Sequence, residues 1–299
     1  MSIKLRGSIV AIVTPMHADG ALDLPALNRL IEWHIESATD GIVIVGTTGE
    51  SATLSNEEHC SLVAHSVTQA AGRIPVIAGA GSNNTKEALY FTQSAKDNGA
   101  DAVLLVTPYY NRPSQEGLYQ HFKAIAEAVD IPQILYNVPG RTACDLAIET
   151  VARLAELENV VGIKDATGDI PRGIELIEKL GDKLAIYSGE DAISLPLILA
   201  GAAGTISVTA NVAPALMAQM CKLALLGNEA AASALDERLI PLHRDLFLQA
   251  NPVPVKWALQ QMGLIESGIR LPLVELEGQY HVQLTEALQH AGISLSAAA

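Results

Sequence analysis

Lys164 closes the run Val160-Val161-Gly162-Ile163-Lys164-Asp165-Ala166-Thr167-Gly168, in which β-forming apolar residues end in a single cation and then a turn. Long ammonium side chains are almost never fully buried without a partner, and burial disfavours their charged form. A neutral amine is a nucleophile that attacks a carbonyl carbon and forms a Schiff base. An ordinary lysine, with a pKa near 10.4, is neutral in only about a few parts in ten thousand at pH 7, and each unit of depression raises that fraction about tenfold. By itself Lys164 also fits a strand end whose head reaches solvent, so the case rests on its companions. Gly46-Thr47-Thr48-Gly49 offers flexible backbone and two hydroxyls. Successive N–H groups in such a turn make a concavity for an anion, here a single carboxylate. Tyr136 ends another apolar run, and a phenol beside an amine can pass protons during imine formation. Arg141 follows Pro139-Gly140, a turn that would aim its planar fork over the same mouth and suit capture of a carboxylate. Each has a plainer reading: an ordinary turn, a buried tyrosine, a surface arginine. Together they describe a site for a 2-oxo acid, with its carboxylate in the Gly-Thr-Thr turn and its ketone facing Lys164. A second acidic substrate would be held by Arg141.

The elements that must position these groups follow from periodicity. Eight nearly continuous apolar runs read as strands covered on both faces: Ser8–Val13, Gly41–Val45, Pro75–Ala78, Asp101–Val106, Pro132–Tyr136, Val160–Lys164, Leu184–Tyr187 and Gly204–Val208. Helical spacing recurs between them, at Leu24–Ser37, Asn56–Ala71, Thr85–Asp97, Gln115–Val129, Leu146–Leu157, Pro171–Leu180, Ala192–Ala200 and Ala215–Leu226. Ser55-Asn56-Glu57-Glu58 is a capping box for the second of these. Strand–helix alternation repeated this way means a parallel sheet, and its size matches an α/β fold of the closed (β/α)8 TIM barrel type. An open doubly wound sheet is the runner-up, but no G-x-G-x-x-G follows the first strand. Gly227-Asn228 breaks the pattern. Residues 1–227 are therefore expected to form the barrel and residues 228–299 a small α-helical region, with helices over Glu229–Gln249, Val253–Gly263 and Gln279–Ala291 and a frayed tail at 294–299. Active sites of such barrels lie at the C-terminal strand ends, where Thr47, Thr48, Tyr136, Arg141 and Lys164 all fall.

Composition removes several classes of function. The 299 residues carry 19 Lys and Arg against 33 Asp and Glu, a net charge of −14, so neither nucleic acid nor an anionic membrane surface is an expected partner. Ala192 to Cys221 has no charged residue, but Pro196, Gly201, Gly204, Asn211 and Pro214 interrupt it before a membrane helix could form. Cys60, Cys144 and Cys221 are scattered and odd in number, which suits free thiols in a reducing cytoplasm. The apolar stretch near the start, Ile9 to Val13, is too short for a secretory signal. No pair of histidines joins a carboxylate at the strand ends, so no metal is expected. His17 and His59 read as surface or packing residues.

The motifs resemble those of the dihydrodipicolinate synthase (4-hydroxy-tetrahydrodipicolinate synthase) family, within the pyruvate-dependent class I aldolases and lyases. The likeness covers nearly the whole chain. It is carried by Gly7 to Pro15, Gly46-Thr47-Thr48-Gly49-Glu50-Ser51-Ala52-Thr53, Val106-Thr107-Pro108-Tyr109-Tyr110-Asn111, Tyr136-Asn137-Val138-Pro139-Gly140-Arg141-Thr142, Gly162 to Gly168 and Asn251-Pro252-Val253-Pro254-Val255-Lys256. The resemblance implies a cytoplasmic lyase of lysine and diaminopimelate biosynthesis that condenses pyruvate with L-aspartate 4-semialdehyde. It implies no cofactor and a homotetramer built as a dimer of dimers. Lys164 then matches the Schiff-base lysine, and Tyr136, Thr47 and Tyr110 the proton relay, with Tyr110 reaching in from a neighbouring subunit. Thr48 matches a pyruvate-carboxylate contact, Arg141 the semialdehyde-carboxylate contact, and Ile206 a residue whose backbone carbonyl borders the site. Ser51, Ala52, His59, Asn83, Glu87 and Tyr109 match a cleft where many members bind inhibitory lysine, and Asn56 stands where some regulated members have a second histidine. A sister aldolase that cleaves sialic acid or a 2-keto-3-deoxy sugar acid would share the barrel, Tyr136 and Lys164; Arg141 and the Tyr109-Tyr110 pair favour the synthase. A non-catalytic barrel that binds a 2-oxo acid would not need both Tyr136 and Lys164.

Overall fold

A computed structural model describes residues 5–296; residues 1–4 and the last three of the tail expected to fray, 297–299, lie outside it. Each apolar run forms a short strand, and helices follow: β1 (Gly7–Ala11), α1 (Leu24–Glu36), β2 (Gly41–Ile44), α2 (Asn56–Ala70), β3 (Val76–Gly79), α3 (Thr85–Asp97), β4 (Ala102–Val106), α4 (Gln115–Ala128), β5 (Gln133–Asn137), α5 (Pro139–Thr142), α6 (Ile148–Leu154), β6 (Val160–Asp165), α7 (Ile170–Leu180), β7 (Ala185–Ser188), α8 (Ser194–Leu199), β8 (Gly204–Ser207) and α9 (Pro214–Leu225). The strands are parallel, run in sequence order and close by pairing of β8 with β1, so the expected (β/α)8 barrel forms.

Alternation along each strand divides the core in two. Ile9, Ala11, Val43, Ile77, Leu104, Ile134, Tyr136, Tyr187 and Ile206 fill one buried cluster, inside the cylinder. Val10, Ile12, Ile42, Ile44, Val103, Leu105, Leu135 and Ile163 join Leu27, Leu30, Leu62, Phe122 and Leu176 of the helices in the other, outside it. Strands covered on both faces need no polar alternation, which is why they read as unbroken apolar runs. The capping box of α2 is complete, with Ser55 Oγ accepting from Glu58 N–H and the Glu58 carboxylate accepting from Ser55 N–H.

Several boundaries differ from expectation for identifiable reasons. The turn expected at Pro139-Gly140 is the one-turn helix α5, opened by Pro139 at its first position. Leu146 stays outside α6 because its N–H donates to Asn137 Oδ1. The helix expected over Glu229–Gln249 is α10 (Glu229–Asp245). Past Asp245 the backbone shifts to tighter bonds, Phe247 N to Arg244 O and Leu248 N to Asp245 O. The chain then runs along the barrel mouth before α11 (Val253–Gln261) begins, and Asn251 lies in this connecting loop. The charge-free stretch resolves into α8, β8 and α9, and among the described residues no helix is long and apolar enough to cross a membrane. α10 packs on α8, on α9 and on α12 (His281–His290).

Candidate active site

Register brings the amine and the phenol together. Tyr136 of β5 pairs with Lys164 of β6, and partners on adjacent parallel strands face the same side of the sheet. Both point inward, and Lys164 Nζ lies 4.3 Å from the centroid of the Tyr136 ring. Lys164 is 5% exposed, and among the described residues its nitrogen has neither an ion-pair nor a hydrogen-bond partner. Its neighbour Asp165 faces the other way, where its carboxylate accepts from Arg172 Nε of α7 at 2.9 Å and Asn137 Nδ2 at 3.2 Å. The adjacent acid is thus spent outside the barrel and does not neutralise the lysine inside it. Gly189 keeps room for the amine: a Cβ there would lie 3.0 Å from Lys164 Cε and 2.6 Å from Ala166 Cβ.

The turn after β2 faces this pair. Val45 and Glu50, on either side of it, adopt left-handed backbone at φ 50° and 56°. This is costly for a β-branched residue and persists only where its surroundings enforce it. Enforcement comes from bonds inside the turn, Gly49 N to Gly46 O, Glu50 N to Thr47 O and Ser51 N to Gly46 O, and from Thr14 Oγ1, which donates to Gly49 O at 2.7 Å. Among the described residues the N–H groups of Thr47 and Thr48 are left without partners, which is the concavity an anion requires. Asn251 then ties two parts of the site together. Its Nδ2 donates to Thr48 Oγ1 at 2.9 Å, and its backbone carbonyl accepts from Arg141 Nη2 at 3.4 Å.

A small cavity of about 40 Å³ is lined by Thr47, Thr48, Tyr136, Arg141, Lys164, Glu190 and Asn251, among others. Through Thr47, Val138, Arg141 and Asn251 it shares walls with a wider cleft of about 490 Å³. Ser51, Ala52, Asn56, His59, Glu87 and Tyr109 line that cleft. Asn83 is not on its wall but donates through Nδ2 to the Tyr109 carbonyl at 3.2 Å. His59 is buried against Phe91, ring centroids 4.1 Å apart, and burial pushes its pKa down to about 4, so the imidazole is neutral. His17 pairs with Glu266 at the surface.

Two expected site residues stand apart within this chain. Tyr110 is 89% exposed with φ 74°, outside both cavities. Ile206 is fully buried inside the barrel, and the β8 side of the small cavity is formed instead by Val208, two residues on. Conversely, Asn251 and Glu190 were not singled out from sequence. Asn251 belongs to a motif that carried the family likeness but was given no site role, and Glu190 follows the strand-end Ser188-Gly189.

A buried ion pair anchors the turn from behind. Lys256 of α11 donates to the Glu50 carboxylate, whose second oxygen accepts from Arg270 N–H at 3.1 Å. Arg270 also forks onto Glu58, whose carboxyl it holds well down, at a pKa of about 2. α11 and the loop segment after it thereby brace the anion turn.

The chain matches the model of the Dihydrodipicolinate synthetase family over residues 4–291. It is 59% identical over 295 residues to the 4-hydroxy-tetrahydrodipicolinate synthase of Nitrosospira multiformis, covering 99% of this chain and 98% of that protein. Among solved structures, the chloride-inhibited dihydrodipicolinate synthase from Acinetobacter baumannii complexed with pyruvate superposes with a TM-score of 0.96 at 57% identity, covering 97% of this chain and 100% of that one. The Cyanidioschyzon merolae enzyme with lysine bound superposes with a TM-score of 0.94 at 38% identity, covering 97% and 99%.

Proposed function

Since this chain belongs to the dihydrodipicolinate synthetase family and is a lyase with 4-hydroxy-tetrahydrodipicolinate synthase activity, we propose that Lys164 carries the reaction as a Schiff base with pyruvate. The observation that carries this reading is the unpartnered Lys164 nitrogen, buried at the barrel mouth against Tyr136. Pyruvate places its carboxylate on the Thr47 and Thr48 N–H groups and the Thr48 hydroxyl. The Lys164 amine attacks the ketone carbon, water leaves, and a protonated imine forms. Loss of a methyl proton gives an enamine, which attacks the aldehyde carbon of L-aspartate 4-semialdehyde while Arg141 holds that substrate's carboxylate. Attack of the semialdehyde's own amine on the imine carbon closes the ring and releases Lys164. Tyr136, with Thr47 beside it, moves the protons these steps require.

Tyr110, standing free at the surface, completes this relay in a neighbouring copy, so activity requires at least a dimer; the dimer of dimers implied by family likeness is the assembly we infer. Three free thiols suit a cytoplasmic location. Coupled assay of pyruvate with aspartate semialdehyde, set against cleavage of sialic acid, tests the reading. Condensation without cleavage supports it, and the reverse would assign the chain to the sister aldolases.

The adjoining cleft is the candidate feedback site. Ser51, Ala52, Asn56, His59, Glu87 and Tyr109 line it, and it shares Thr47, Val138, Arg141 and Asn251 with the active-site cavity, which gives an occupant a direct route to Thr47 and Arg141. Free lysine is expected to lower the rate at sub-millimolar to millimolar concentration, weakened by the amide of Asn56 in place of an imidazole. An unchanged rate across a titration to several millimolar would end this assignment.

A further inference from the structure

Among the described residues Glu190 is the one carboxylate on the wall of the small cavity, where it shares that wall with Lys164 and Arg141. Its main chain is held firmly: its carbonyl accepts from Ser188 Oγ at 2.7 Å and Ser194 Oγ at 3.0 Å, and its N–H donates to Ser188 Oγ at 3.2 Å. Its carboxylate, by contrast, has no hydrogen-bond or ion-pair partner among the described residues. A half-buried acid left unpaired is destabilised relative to one in water. Burial and the neighbouring Asp191 push its pKa up, more than Lys164 and Arg141 pull it down. Such a group is poised to gain from an arriving cation.

The aldehyde substrate carries one. Its carboxylate and its α-ammonium sit on the same carbon, so a guanidinium that takes the first must have an acceptor close by for the second. Asp191 is not that acceptor: it is buried, and its Oδ2 takes the N–H groups of Val208 and Thr209 at 2.9 and 2.8 Å. We propose that Glu190 binds the α-ammonium group of the aldehyde substrate and so selects an amino-acid semialdehyde over aldehydes that lack the cation. This rests on the synthase reading above.

The test compares wild type with E190Q, an isosteric change that removes only the charge. The Michaelis constant for aspartate semialdehyde is expected to rise roughly 10- to 100-fold, the usual weight of a charge-assisted contact. The inhibition constant of succinate semialdehyde, which has the same chain without the amine, should stay within about twofold. E190Q should still form the borohydride-stable pyruvate adduct on Lys164, showing that it is folded and competent. Equal weakening of both aldehydes, loss of the adduct, or an unchanged constant for aspartate semialdehyde would each overturn the proposal. The first two would assign Glu190 to the imine instead. Wild-type protein that turned over no aspartate semialdehyde would remove the synthase reading together with this one, whereas an active wild type matched by E190Q removes this one alone.

Discussion

Replacing Lys164 by alanine is expected to lower turnover by about 10,000-fold or more while the protein remains folded. Every covalent step runs through that nitrogen, and no other described lysine lines the cavity. The remaining walls, Thr47, Thr48, Tyr136 and Arg141, would still bind both substrates, so residual activity should reflect proximity alone. Lys164 has no hydrogen-bond or ion-pair partner to orphan; the melting temperature should therefore hold. Arginine at the same position should fail equally, because a guanidinium stays protonated and cannot attack a ketone. Steady-state rates beside a thermal melt check both halves. Turnover within tenfold of wild type would mean that the amine is not the nucleophile.

Replacing Lys256 by methionine is expected to cost about 3–5 kcal/mol of stability, because it strands the Glu50 carboxylate in the interior. The two side chains are 5% and 1% exposed. Burial holds the Lys256 amine below its ordinary pKa even though Glu50 pulls the other way. The pair is therefore expensive to split but not strongly stabilising as a unit. Exchanging both residues, Glu50→Gln with Lys256→Met, should recover most of the loss. Urea unfolding of the two single variants and the double variant gives the comparison. Lys256→Met should also raise the Michaelis constant for pyruvate, since Glu50 closes the turn that carries Thr47 and Thr48. A variant as stable as wild type would show that the carboxylate finds water or another partner, and the bracing role of α11 would fall with it.

The barrel was legible because each strand is buried on both faces and so reads as one uninterrupted apolar run, with all eight found within two residues of their ends. Lys164 and Tyr136 were legible for the same reason: each interrupts such a run at its C-terminal end, and in-register pairing of neighbouring strands does the rest. What sequence reading missed comes from far along the chain. Thr48 and Asn251 are 203 positions apart, and Glu50 and Lys256 are 206 apart; no local periodicity encodes which loop lies over which turn. Glu190 was passed over because an acid beside a strand-end glycine looks like a solvated turn until the absence of any partner is seen. Arg141 was placed at the mouth, but its carrier is the helical turn α5, which Pro139 opens at a position that needs no N–H donor.

The most direct test of Schiff-base chemistry at Lys164 is to incubate the wild-type protein with pyruvate, reduce with borohydride, and locate the added mass by peptide sequencing. Stoichiometric modification confined to the peptide that contains Lys164 is the predicted result. An unmodified protein, or a label on any other lysine, would contradict it.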